Sequence, residues 1–209
     1  MSYYFRNKSL KGKKRERTRS ALIDSVISEI ATNGFNNLSI KEVAHAAGLA
    51  NGTFYNHFDN LDELIKQSVA AVAKEIVEDI AISIADISDG LERMIVSTEK
   101  VIRLLVAEPD WGIILVGAWN NFPEHRDDVS RFLRADLRKA KSQKSVPAKV
   151  TPLLENQIIS VILLGVVTLI RDGDQDVIRL ETHEAVLKLL GIGPKPAAEL
   201  VKTVLAKHG

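Results

Sequence analysis

The 209-residue sequence contains no cysteine and only 5% aromatic residues. Without cysteine the chain has no disulfide framework and no thiolate metal site, which is compatible with a reducing compartment. The longest strongly hydrophobic run covers only residues 161–170, which is too short to span a bilayer, and the first residues lack the long apolar core of a signal peptide. We therefore expect a cytoplasmic protein without a membrane partner.

Strand-like alternation of polar and apolar residues is also missing, whereas apolar residues recur at helical spacing along most of the chain. The first helix is predicted over residues 17–33, and a long fourth helix runs from the capping signal of Asn60 and Glu63 to about residue 86. Six more helices are predicted near residues 90–107, 109–120, 123–144, 152–171, 176–190 and 196–207. The sequence therefore predicts an all-α fold.

The segment from Ser39 to Phe58 predicts two short helices around a tight turn. Ser39 and Glu42 form a capping box, in which the glutamate reaches back to the serine backbone N–H, and Gly48 can adopt the left-handed conformation that ends a helix. Phe54 and Phe58 lie four positions apart in the second helix, so both rings point to the core. This pattern predicts a helix-turn-helix. The alternative is a short helical hairpin that only caps the domain.

The outward face of the second helix is predicted to be small, polar and uncharged. At about 100° per residue, Gly52 and Asn56 point furthest from the two phenylalanine rings, with Thr53 and Tyr55 on the flanks. Glycine permits close approach of the backbone to DNA, asparagine can pair bidentately with adenine, and threonine can contact a thymine methyl. Tyr55 and His57 are expected to hold phosphates. This face suits a helix that enters the major groove.

In this region the sequence resembles the TetR family of bacterial transcriptional regulators. The resembling residues form ordered motifs at the family's spacing, namely 18–19, 34–35, 39–44, 47–58 and 64. The resemblance implies three N-terminal DNA-binding helices, with the remainder forming a dimer and binding a small effector. Two positions depart from the family: Ala50 stands where a serine often caps the recognition helix, and Leu61 where a lysine often contacts phosphate. The predicted DNA contacts are Thr18, Arg19, Ser39, Lys41, Asn51, Gly52, Thr53, Tyr55, Asn56 and His57.

Positive charge is concentrated near the N-terminus. Residues 1–58 hold nine lysines and arginines against four acidic residues, whereas the remainder holds nineteen against twenty-three. With the resemblance, this asymmetry divides the chain into a DNA-binding domain, residues 1–58, and a helical dimerisation and effector-binding domain, residues 59–209, joined by the long fourth helix. The basic run before residue 20 is expected to be disordered in the free protein. It is either a solvated tail only or an arm that lies along bound DNA.

Residues 158–170 are apolar on nearly every side, so a helix formed by them must be buried from several directions. The helix that follows is amphipathic. We expect the two helices, near residues 152–171 and 176–190, to pair with a second copy in a four-helix interface, as the family does, with Gly165 allowing close approach. A purely monomeric core is the alternative.

Aromatic residues cluster at Trp111, Trp119 and Phe122 in a sequence that has few of them. Aromatic walls with a few polar groups are typical of ligand sites, and the family's effector pocket is usually lined in this part of the chain. We therefore expect these three residues and Gln157 to bind a mainly apolar small molecule. Ordinary core packing explains the same cluster equally well.

Catalysis has little support in the sequence. The run at residues 124–128 offers His125 beside two aspartates, but adjacent side chains diverge around a helix and Arg126 competes for the carboxylates. We expect no cofactor, no metal and no enzymatic activity. The sequence predicts a homodimeric repressor that binds a double-stranded palindromic operator and is released by a small molecule. A ligand-independent DNA-binding protein and a helical enzyme are the alternatives.

Overall fold

The computed structural model describes residues 4–123, 126–173 and 175–208, and the regular secondary structure of these residues is helical. In chain order the α-helices are α1 (Tyr4–Lys8), α2 (Lys14–Asn33), α3 (Ile40–Ala46), α4 (Asn51–Phe54), α5 (Leu61–Ser83), α6 (Gly90–Ala107), α7 (Pro109–Asn121), α8 (Arg126–Ser142), α9 (Pro152–Asp172), α10 (Asp176–Leu189) and α11 (Pro194–His208). A short 3-10 helix, Phe35–Asn37, lies between α2 and α3. The all-α prediction is confirmed.

Local capping signals explain why the helices begin where they do. The Asn60 side-chain oxygen accepts a hydrogen bond from the Glu63 backbone N–H at 2.8 Å, and Thr151 Oγ1 accepts one from the Leu154 N–H at 3.2 Å. Pro109 and Pro152 occupy the first turns of α7 and α9, where a missing N–H costs nothing. The helices predicted after residue 60 therefore match the observed bounds closely. His125, which the catalytic alternative invoked, lies outside the described residues.

The chain divides into two compact units. The first comprises Met1–Lys74 and Glu108–Asp128, and the second comprises Glu75–Ala107 and Val129–Gly209. Helix α5 therefore contributes its first part to one unit and its last part to the other. Helix α7 belongs to the first unit, although it follows α6 in sequence. These units do not coincide with residues 1–58 and 59–209, and the division of function at residue 58 stays a prediction.

Helix α2 is the centre of the first unit, where it packs against α1, α3 and α7. Its apolar residues at helical spacing are almost completely buried, as the sequence predicts: Leu22, Ile23, Val26, Ile27 and Ile30. Two adjacent apolar rows give α2 enough buried surface to hold neighbours on more than one side. The helix-turn-helix is thereby fixed to a rigid element.

Helix α9 lies in the second unit, where it packs against α6 and α10. It is 21 residues long with a mean hydropathy of 2.1 over its most apolar window, so by length and composition alone it could cross a membrane. The prediction that no segment is long enough to span a bilayer considered only residues 161–170 and missed the length of the whole helix. Such a composition is weak evidence for a membrane span, because interior helices of soluble proteins share it.

Gly165 brings α9 and α10 of the same chain together. A Cβ atom at position 165 would lie 2.4 Å from Thr182 Oγ1 and 2.9 Å from Thr182 Cγ2. The close approach predicted at this glycine is therefore made within one chain, rather than with a second copy. Three apolar side chains of α9 and α10 remain exposed: Leu153, Leu164 and Val177.

Candidate nucleic-acid interface

The first helix of the helix-turn-helix, α3, begins and ends at the predicted residues. The Glu42 backbone N–H donates to Ser39 Oγ at 3.2 Å, and the Ser39 hydroxyl donates to Glu42 Oε2 at 2.7 Å. The Glu42 side chain thus accepts from the Ser39 hydroxyl. The sequence predicted that it accepts from the Ser39 backbone N–H instead. Gly48 has a φ of 72°, and the following Leu49 N–H donates to the Ala44 carbonyl at 2.8 Å. This left-handed residue makes the tight turn.

The second helix, α4, is anchored by two buried rings. Phe54 and Phe58 are 0% and 1% exposed, and their centroids lie 5.9 Å apart. The helix is shorter than predicted, because it ends at Phe54 and the chain continues in turns through His57. Ala50 provides no side-chain cap at its start, which is the expected consequence of the missing serine.

The outward face of the motif is open, polar and uncharged, as predicted. Its most exposed residues are Asn51, Gly52, Tyr55 and Asn56, with Thr53 half-buried. Tyr55 is 60% exposed and rests the edge of its ring against Phe54. A Cβ atom at Gly52 would have no heavy atom within 4 Å. Internal packing therefore does not require glycine at position 52, which leaves close approach of another molecule as a reason for it.

Three further residues predicted to contact DNA differ in their exposure and in their contacts within the protein. Lys41 is exposed, whereas the Arg19 guanidinium lies 5.4 Å above the Phe58 ring and donates to Gln67 Oε1. Arg19 therefore also contacts the segment that follows the second helix, through Phe58, and the start of α5, through Gln67. Thr18 is half-buried and donates its hydroxyl to the Lys14 carbonyl at 3.0 Å.

His57 is half-buried next to positive charge. Burial lowers the pKa of its imidazole below the ordinary value, and the charges of Arg15 and Arg19 lower it further. A nearby phosphate would oppose both arginines and favour the protonated ring. The ring is therefore positioned to respond to a polyanion, which agrees with the predicted phosphate contact.

The start of the basic segment is helical rather than disordered. Phe5 of α1 is 7% exposed, and its backbone N–H donates to Asp24 Oδ1 of α2 at 3.0 Å. Its ring stacks on Trp111 at a centroid distance of 5.8 Å, and the Tyr4 ring meets the same indole edge-on at 4.9 Å. The expected disordered tail is thus corrected for residues 4–8, because two aromatic residues interrupt the basic run and have apolar surface to cover.

A cleft beside the turn carries part of the basic segment. It has a volume of about 290 Å³ and is lined by Leu10, Lys14, Arg17, Thr18, Ala21, Ala47, Gly48 and Leu49. Leu10 is 61% exposed. Lys14 and Arg17 of α2 therefore lie beside the turn that precedes α4, and they carry the positive charge that a polyanion requires.

The residues predicted to bind an effector are divided between the two units. Trp111 and Trp119 are 2% and 5% exposed in the first unit, and Phe122 lies 5.6 Å from the Phe35 ring. The Arg126 guanidinium lies 5.1 Å from the Trp119 ring. Gln157 is exposed on α9 in the second unit. These contacts are those of core packing, and the effector site at this cluster stays a prediction.

A cavity that the sequence did not predict lies in the second unit, among α5, α6 and α8. Its volume is about 210 Å³, and it is lined by Val77, Ile80, Ala81, Ile84, Ala85, Arg93, Ser97, Ala135 and Asp136. Asp136 Oδ1 accepts from Arg93 Nε at 3.0 Å, and its Oδ2 accepts from the Ser97 hydroxyl at 3.0 Å. The cavity lining therefore combines a polar group, Arg93, Ser97 and Asp136, with apolar side chains of α5. The sequence signal for this cavity was Asp136, an acidic residue between the apolar positions Leu133 and Leu137 of α8, which are buried.

Among the described residues, no group of three histidine, aspartate or glutamate side chains is arranged to hold a metal ion. Two glutamates of the second unit form ion pairs instead. Glu99 binds His183 and Arg103, and Glu92 binds Lys207 and His208.

Comparison with known proteins supports the interpretation of the N-terminal segment. Residues 22–67 match the family model described as bacterial regulatory proteins, tetR family. An uncharacterized HTH-type transcriptional regulator from Haemophilus influenzae is 35% identical over 107 residues, which are 45% of this chain and 51% of that protein. The HTH-type transcriptional regulator BetI from Brucella abortus is 25% identical over 127 residues, which are 59% of this chain and 62% of that protein. The matches span only half to two thirds of these relatives.

Solved structures resemble this chain beyond its N-terminal segment. The crystal structure of RolR in complex with resorcinol has a TM-score of 0.67 and 20% identity, over 90% of this chain and 94% of that one. At this identity the likeness shows the fold alone. The fold and the interface define a helical protein with an N-terminal helix-turn-helix. The match of residues 22–67 to the tetR family model confirms the resemblance to the TetR family that the sequence shows in this segment.

Proposed function

We propose that the chain is a cytoplasmic transcriptional regulator that binds double-stranded DNA and represses from a palindromic operator. The observation that carries this proposal is the exposed, uncharged face of α4, held over two buried rings and flanked by basic side chains of α2. The regulators among its relatives support it. Small polar groups read base edges, whereas the flanking charge holds phosphates.

The second part of the proposal is a small effector that binds in the 210 Å³ cavity of the second unit. Its binding causes the protein to release the DNA. Residues 77–85 of α5 line this cavity, and residues 61–74 of the same helix belong to the first unit. A guest that shifts residues 77–85 therefore acts on a helix whose first part belongs to the first unit. The volume lies below the usual range for drug-sized ligands, so a small guest is favoured. RolR, a relative in fold, was solved with resorcinol.

A homodimer is the third part of the proposal. Leu153 and Leu164 lie eleven positions apart on one exposed row of α9, and Val177 is exposed on α10. Exposed apolar side chains on two packed helices are suited to meet their copies across a two-fold axis. A dimer would present two recognition helices to successive major grooves, which is why we expect a palindromic operator.

In vitro selection from random double-stranded DNA tests the first part. The wild-type protein should enrich a two-fold symmetric sequence, and its affinity should fall steeply with salt. Asn56→Ala should cost about 1–3 kcal/mol, mainly at one base pair of each half-site, whereas Tyr55→Phe should weaken binding to all sequences alike. If no sequence is enriched, the proposal of an operator is wrong.

Two matched variants test the effector site. Resorcinol and other small phenols are screened by tryptophan fluorescence, and each hit is titrated against the operator complex. Ala81→Leu adds carbon to the cavity wall without removing a polar contact, so it should abolish the response while leaving ligand-free DNA binding intact. Trp119→Ala should preserve the response. If only Trp119→Ala loses the effect of the compound on DNA binding, the aromatic cluster is the effector site instead. A compound that binds but leaves DNA affinity unchanged would favour the ligand-independent alternative.

A further inference from the structure

A second cavity of the second unit lies between α6 and α11. Its volume is about 300 Å³, and it is lined by Val96, Glu99, Lys100, Arg103, Leu205 and His208. It shares no lining residue with the cavity among α5, α6 and α8. The volume is at the lower end of what small-molecule sites provide. The charges on its wall decide what it can bind.

The one carboxylate on this wall is already neutralised. Glu99 Oε2 lies 2.9 Å from His183 Nε2, and Glu99 Oε1 accepts from Arg103 Nε at 2.6 Å. Arg179 Nε lies 3.6 Å from the same carboxylate. Burial raises the pKa of Glu99, but the hydrogen bonds and charges of His183 and Arg103 outweigh it and leave the pKa below its ordinary value. Glu99 is therefore ionised and satisfied.

His208 is engaged as well, because its Nε2 lies 2.6 Å from Glu92 Oε1. Lys100 differs from these residues. Its side chain is half-buried on the cavity wall, and within the described ranges of the chain its ammonium has no hydrogen-bond or ion-pair partner. An ammonium with three donors and no counter-charge beside a cavity is a ready site for an anion.

We propose that this cavity binds a small organic carboxylate, with the carboxylate group on Lys100 and a short apolar chain against Val96 and Leu205. Arg103, whose side chain is 59% exposed, adds a second cation at the mouth while its Nε remains on Glu99. The aliphatic stems of Lys100 and Arg103 continue the apolar surface. The site shares no residue with the proposed DNA interface or with the lining of the α5, α6 and α8 cavity.

Calorimetric titration of the full-length protein with octanoate tests this site. Octanoate should bind saturably, and octanol, which has the same chain without the charge, should bind at least about tenfold more weakly. Lys100→Met keeps the side-chain length and removes the charge, so it should weaken the binding of octanoate by about tenfold or more. Lys202→Met, at an exposed lysine of α11, is the matched control and should bind like the wild type.

A second variant guards against misfolding of the first. Leu205→Trp fills the cavity from α11 and should abolish octanoate binding, while its thermal unfolding midpoint stays near that of the wild type. Absence of saturable octanoate binding to the wild type, or equal affinity in Lys100→Met, would overturn the proposal. DNA affinity is measured separately, so failure here leaves the proposed regulator function standing, and failure of DNA binding leaves this site standing.

Discussion

Replacing Gly52 with alanine separates DNA contact from the stability of the free protein. A Cβ atom at this position has no heavy atom within 4 Å, and the residue is not among the glycines with positive φ. Alanine can therefore adopt the same backbone without strain. Glycine in a helix costs about 0.5–1 kcal/mol relative to alanine. For a chain of this size, a gain of 1 kcal/mol raises the unfolding midpoint by about 2–4 °C.

The same methyl group should weaken DNA binding. It projects from the outward face of α4, where the backbone is proposed to approach the base edges, so it holds the helix away from the groove. We expect an affinity loss of about tenfold or more, which corresponds to at least about 1.4 kcal/mol. Fluorescence anisotropy with the selected operator, at one fixed salt concentration, measures this loss.

Gly193→Ala is the matched control. A Cβ atom there would have only Pro196 Cδ nearby, at 3.8 Å, and the position precedes α11 in the second unit. Its DNA affinity should equal that of the wild type. If Gly52→Ala binds the operator as tightly as the wild type, the assignment of the outward face is refuted. If it lowers the unfolding midpoint, the argument from free space around Gly52 is wrong.

Three further results are expected. Phe5→Ala should destabilise the protein by about 3–5 kcal/mol in urea unfolding, because it empties a buried aromatic site, whereas a solvated tail would show no change. The lowered pKa of His57 means that the free protein disfavours the protonated ring, so phosphate contact should take up a proton on binding. Operator affinity should rise as pH falls from 7.5 to 6 in the wild type but not in His57→Gln; equal pH profiles would contradict the contact. If the proposed dimer forms through α9, Leu164→Glu should convert it to a monomer in sedimentation, and an unchanged mass would exclude this face of α9 from the proposed interface.

The sequence by itself determined the helices and the outward face of α4. Apolar spacing along α2 predicted its buried side, and Ser39 and Gly48 predicted the ends of α3, because caps and periodicity depend on residues only a few positions apart. The outward position of Gly52 and Asn56 followed in the same way from their angular distance to Phe54. These predictions needed no knowledge of distant parts of the chain.

Only the tertiary structure decided what those helices cover. It packs Trp111 against Phe5, over a hundred positions away, and so joins α7 to the first unit. It turns Gly165 towards Thr182 of the same chain, and it opens two cavities beside α6. An aromatic ring or a glycine fits a core, a ligand wall or an interface equally well in sequence. The choice depends on which distant surface covers it, and that is fixed only when the helices pack.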